Sequence, residues 1–140
     1  MTTHPLGFPP KDVRYTLRLE GLAMAVAAVA TYAVMGANWW LFVALILAPD
    51  LAILGMLAGG KTGARIYNLA HTYTGPALLA GIGLLAGWPV LVPLALVWIA
   101  HIGVDRALGY GLKYPSSFRA THLGWMGKAS QRGPLVADPS

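Results

Sequence analysis

The chain has 140 residues, 56% hydrophobic and only 11% charged, with a mean hydropathy of +0.59. A soluble domain carries about 25% charged residues, so this composition excludes an ordinary water-facing globule. The +5 net charge is too scattered for a nucleic-acid surface, and the lack of cysteine excludes disulfides and thiolate metal sites.

Residues 1–16 are polar, with Pro5, Pro9 and Pro10, and read as a tail or a short surface segment. Four apolar stretches follow: Leu17–Met35, Trp39–Ala58, Tyr67–Gly87 and Pro89–Gly111. Each holds about 20 residues, enough to cross a hydrocarbon core of about 30 Å as a helix. Lipid gives unpaired backbone groups no water, so the expectation is an all-α, four-helix transmembrane bundle within a membrane domain spanning 17–127. Shorter alternating segments, as a β-barrel needs, are absent. Glu20 interrupts the first stretch, which therefore reads as a retained span rather than a signal peptide. Residues 112–127 read as an interfacial segment and 128–140 as a disordered tail.

Two connections, Gly36-Ala37-Asn38 and the turn at Trp88, carry no charge and gather Trp39, Trp40 and Trp88. Lys11, Arg14 and Arg18 precede the first span, Lys61 and Arg65 lie between the second and third, and Lys113, Arg119, Lys128 and Arg132 follow the fourth. This asymmetry predicts that both termini and the middle loop face the cytoplasm. The basic side would also attract anionic lipid head groups. Small residues at four-residue spacing (Ala23/Ala27, Gly55/Gly59, Gly83/Gly87) are expected to let helices approach closely.

Glu20, Asp50, His71, His101 and Asp105 lie inside the apolar stretches. A charge at the bilayer centre costs about 2.5–3.5 kcal/mol on insertion scales, so such residues line a cavity or pair with one another. At a rise of about 1.5 Å per residue, all five fall within a slab of roughly 10 Å on the cytoplasmic side. His101 and Asp105 are four apart and share a helix face, while Asn68, His71 and Thr72 form a polar face on the third span. Pro49 and Pro76 remove hydrogen bonds to the carbonyls of Leu45 and Thr72, which favours water or a ligand nearby.

Two imidazoles with two carboxylates suit one divalent transition metal: zinc first, or iron or manganese with open positions. The expected ligands are Asp50, His71, His101 and Asp105, with Glu20 and Asp50 as catalytic carboxylates. Asn68, Arg106 and His122 would support the ligands, and Lys113 and Arg119 would meet a substrate head group. Haem b, held by His71 and His101, is an alternative cofactor. The bland alternative is a polar network that glues helices, at about 0.6 kcal/mol per hydrogen bond, or that passes protons or a solute.

Three runs carry a resemblance: Ala48-Pro49-Asp50-Leu51, Tyr67-Asn68-Leu69-Ala70-His71-Thr72-Tyr73, and the segment from His101 to Pro115. They resemble an uncharacterised bacterial integral-membrane family, a domain of unknown function numbered 4260, over roughly Arg18–Gly127. This resemblance implies a small multi-pass protein of the bacterial inner membrane and supplies no activity. More distantly, Pro49-Asp50, His71 and His101/Asp105 are similar to motifs of the YdjM-like inner-membrane metal-dependent hydrolases. Leu51-Ala52-Ile53 stands where that group carries a second Asp and a His, so a single metal is implied. The leading expectation is a metal-dependent hydrolase acting on a lipid-linked or amphiphilic substrate. The runner-up is a non-enzymatic module: a small transporter, a proton path or a partner subunit. Four short helices enclose little volume, so transport would favour a homodimer.

Overall fold

The computed structural model describes residues 9–114 and 117–125, with backbone alone at 117–120, 124 and 125. Five α-helices are formed: α1 (Lys11–Val34), α2 (Trp39–Leu45), α3 (Gly60–Ala70), α4 (Thr74–Leu85) and α5 (Leu91–Leu108). A 3-10 helix, Ala48–Ala58, continues α2, and three short strands follow α5. The expected tail 128–140 lies outside the described residues.

α1 and α5 make the central contact. On α1 the buried stripe is Gly21, Ala25, Ala28 and Tyr32, spaced at helical period. A Cβ on Gly103 of α5 would sit 2.6 Å from the Gly21 carbonyl oxygen and 2.7 Å from the Ala25 nitrogen. Backbone meets backbone there, which only glycine permits. Ala23 and Ala27, expected at a helix contact, are instead exposed, because they lie off this stripe.

Tyr32 is fully buried and gives its hydroxyl proton to the Asn38 carbonyl, while Trp39 and Phe42 pack around its ring. Asn38 caps α2 by accepting from the Trp40 amide at 2.9 Å. This aromatic knot closes the first uncharged connection, where Gly36 adopts φ 64.

Two of the expected spans are broken. The second is α-helical only to Leu45 and then 3-10, because Pro49 cannot donate to the Leu45 carbonyl. The third divides at His71–Tyr73 into α3 and α4. α3 starts at Gly60, so Lys61 and Arg65, read as loop, are helical. α4, with 12 residues, rises only about 18 Å, short of a bilayer core of about 30 Å. Among the described residues, three helical segments remain long and apolar enough to cross a membrane: Lys11–Val34, Trp39–Ala58 and Leu91–Leu108. They make this an all-α candidate multi-pass membrane protein in place of the uniform four-span bundle expected.

α5 stops at Gly109, whose φ of 92 allows the Tyr110 amide to reach the Asp105 carbonyl at 2.8 Å. The chain then forms an antiparallel sheet of β1 (Lys113–Tyr114), β2 (Ser117–Thr121) and β3 (Gly124–Trp125). Among the described residues of the segment 112–127, expected at the interface, β1 and β2 pack on α3.

Candidate metal centre

Both helix breaks occur at the same place. The 3-10 turn after Pro49 presents Asp50, and the α3–α4 break presents His71 at the end of α3. α5, unbroken, supplies His101 and Asp105 from one face. The two His Nε2 atoms lie 3.2 Å apart. Asp50 Oδ1 is 3.3 Å from His71 Nε2 and 3.4 Å from His101 Nε2, and Asp105 Oδ2 is 3.5 Å from each. All four ligand atoms lie within 4.8 Å of one another. The histidine side chains are 4% exposed, Asp105 19% and Asp50 45%, so the cluster opens on the Asp50 side.

The surroundings fix the rings. His71 Nδ1–H donates to the Tyr67 carbonyl at 2.9 Å, which leaves the Nε2 lone pair facing the cluster. The Tyr67 ring stacks on His71 at 3.8 Å with planes 10° apart. Ile46, at the end of α2, offers its backbone carbonyl to His101. Such backbone partners orient imidazoles as ligands. Four acceptor atoms therefore converge, and a cation or shared protons must lie between them. The group could hold a metal ion.

Haem does not fit. Two trans bonds of about 2 Å would place the Nε2 atoms about 4 Å apart with a porphyrin between them. Here they are 3.2 Å apart, and a carboxylate oxygen of Asp50 and one of Asp105 each crowd both nitrogens at 3.3–3.5 Å.

Glu20, expected as a catalytic carboxylate, is not brought to the cluster. It sits one residue, about 100°, from the α1 stripe that packs on α5. There it lines a separate cavity of about 410 Å³ with Tyr73 and Arg106. Arg106 donates to the His71 carbonyl at 3.3 Å, and its guanidinium lies 3.1 Å from His122 Nε2. His122 accepts at Nδ1 from the Leu112 amide, 2.8 Å away, and its own amide donates back to the Leu112 carbonyl at 3.1 Å. Asn68 clasps the Lys113 backbone in both directions, donating at 2.9 Å and accepting at 2.7 Å. These residues dock the sheet on the helices and touch no ligand atom except through His71.

Lys113 is buried, its Nζ 4.5 Å from the centre of the Tyr67 ring. Burial lowers its ammonium below the usual lysine range, with Asp105 and Asp50 opposing that shift. The Arg119 side chain lies outside the described residues. Sequence reading missed three supports: Tyr67, the Ile46 carbonyl, and Trp98, whose indole donates to the Ala70 carbonyl at 2.6 Å. Tyr67, four residues before His71 on one helix face, was the one visible from spacing.

Two predictions arise here. Burial and the Arg106 charge lower the His122 pKa below 6.5. A base depressed on folding contributes nothing above its unfolded pKa and destabilises as pH falls through 6.5 toward the folded value. The 113–125 sheet should therefore loosen below about pH 6.5, read as faster hydrogen exchange at the His122 amide and lost in His122→Gln. Second, Asn68→Ala leaves the Lys113 amide and carbonyl without this partner. It should lower local protection of the β1 amides by roughly tenfold, about 1–1.5 kcal/mol, with the helices unchanged by circular dichroism.

No curated protein and no solved structure matches the chain. A family profile does, over residues 14–126, and those residues include all four clustered side chains. By that match the chain belongs to the family described as Domain of unknown function (DUF4260).

Proposed function

We propose that Asp50, His71, His101 and Asp105 bind one divalent transition metal, zinc by the chemistry of the donors, in a multi-pass protein of the bacterial inner membrane. The observation that carries this reading is the set of five distances, 3.2–3.5 Å, among four acceptor atoms. Tetrahedral ligands on bonds of about 2.0–2.1 Å lie about 3.3 Å apart. Two carboxylates also neutralise a divalent ion, which suits a site within apolar helices. The basic residues flanking the spans support cytoplasmic termini and a site open toward that side.

The activity proposed is hydrolysis of an amphiphilic substrate. A bound divalent ion supplies a nucleophile by lowering the pKa of coordinated water and polarises the scissile group. Asp50, the more exposed carboxylate, lies on the open side of the cluster, where substrate and water would enter, and would take the proton there. Glu20 has no part in this scheme. The test is turnover of p-nitrophenyl phosphate and p-nitrophenyl acyl esters by protein in nanodiscs. Release that stops on chelation and returns with zinc supports the hydrolase.

One observation favours a second reading. Two helices break at the level of the cluster, as discontinuous helices do around transporter ion sites. Metal bound without any ester turnover, together with metal flux into protein-loaded vesicles, would favour a metal-transport module.

A further inference from the structure

Beside the cluster lies an apolar cavity of about 350 Å³. Its walls are tied to the ligands by the chain itself. Pro49 precedes Asp50, Ala70 precedes His71, and Val97 is one helical turn before His101. Ala52 and Leu79 complete the sides. Trp98, the one lining side chain with a polar atom, spends its N–H on the Ala70 carbonyl, so the wall offers no side-chain donor. Gly75 makes room for that indole: a Cβ there would stand 2.6 Å from the ring.

Direction matters as much as polarity. α5 runs from Leu91 to His101 and on to the basic segment beginning at Lys113. Val97 and Trp98 therefore lie about 4.5–6 Å farther from that basic end than His101 does. With the basic end at the membrane surface, the apolar cavity would lie on the bilayer-interior side of the polar cluster. At about 30 Å³ per methylene-sized unit, the cavity matches roughly ten to twelve methylenes in volume. Arg106, bonded to the His71 carbonyl, and Lys113, stacked over Tyr67, set two positive charges against the one negative charge of Glu20, which shares a cavity with Arg106, around a centre that a divalent ion would leave neutral. That field selects an anionic oxygen head.

We infer that this cavity is the chain-binding half of the site, taking one straight apolar chain of an alkyl phosphate whose head lies at Asp50, His71, His101 and Asp105. The inference rests on the metal reading for the head and on the cavity alone for the chain.

The experiment uses the full chain in detergent, loaded with zinc, and dodecyl phosphate brominated along its chain as the probe. Trp98 quenching is taken as the difference between the wild type and Trp98→Phe. Saturable quenching is expected, weakened at least tenfold in Ala52→Phe, which fills the cavity while metal content stays unchanged. Should Ala52→Phe fail to fold, Leu79→Phe makes the same test. A brominated dodecyl trimethylammonium probe should bind at least tenfold more weakly than the phosphate. Quenching that does not saturate, or that ignores both filling substitutions, overturns the pocket whatever the metal content. Equal quenching by the two heads overturns the anionic-head assignment. If the protein takes up no zinc, the metal reading falls, while saturable quenching sensitive to Ala52 still establishes the chain pocket.

Discussion

His101→Ala is expected to strip the purified protein of its metal, to less than a tenth of wild-type occupancy by elemental analysis. His101 Nε2 is 3.2–3.5 Å from each of the other three donor atoms, so its loss removes one corner of the set. His71→Ala should do the same and also remove the ring on which Tyr67 stacks. Asp105→Asn keeps the shape but leaves a divalent ion with one unneutralised charge beside apolar helices, so occupancy should again fall at least tenfold. Glu20→Gln, outside the cluster, should keep full occupancy. Chelation of the wild type should lower its melting temperature, since a ligand at a hundred times its Kd stabilises by about 2.7 kcal/mol. In His101→Ala the same chelator should change nothing.

The second large effect is structural. Gly103→Leu should abolish recovery of monodisperse protein and take the metal with it. A side chain there meets the Gly21 carbonyl and the Ala25 amide, both main-chain groups that cannot rotate away. α1 and α5 must then separate, at a penalty of about 1–3 kcal/mol or more. His101 and Asp105 flank Gly103 on α5, so the displacement reaches the ligands directly. Gly21→Leu attacks the same crossing from α1, where a Cβ would collide with Arg106 Cβ. Gly81→Leu is the control: no atom lies within 4 Å of a Cβ at that position, so folding and metal content should be retained. Size-exclusion profiles of the three variants, with metal content on the same fractions, read both outcomes.

The four-residue cluster was legible because burying charge is expensive: Asp50, His71, His101 and Asp105 stood out from an apolar background, and helical spacing joined two of them. The three long apolar helices were legible for the same reason. What escaped was geometry set by breaks. Pro49 announced a lost hydrogen bond, but not that the chain would continue as a 3-10 helix to Ala58. The α3–α4 break at His71–Tyr73 falls within an apolar run, so hydropathy alone joined the two pieces. Glu20 matched the others in depth yet not in azimuth, and depth is all that a count along the chain delivers. The sheet was hidden because two of its strands are only two residues long, and the alternation of Ser117-Phe118-Arg119-Ala120-Thr121 in β2 covers just five residues after a long apolar helix. Gly21 and Gly103 were invisible as a pair, since only the crossing of α1 and α5 makes their missing side chains necessary.

The most direct measurement is X-ray absorption at the metal edge of the protein as purified. Two histidine and two carboxylate ligands require a nearest-neighbour shell of nitrogen and oxygen at about 2.0–2.1 Å, with the outer scattering of two imidazole rings. A protein without transition metal, or a bound metal whose spectrum lacks imidazole scattering, would contradict the assignment of Asp50, His71, His101 and Asp105 as a metal centre.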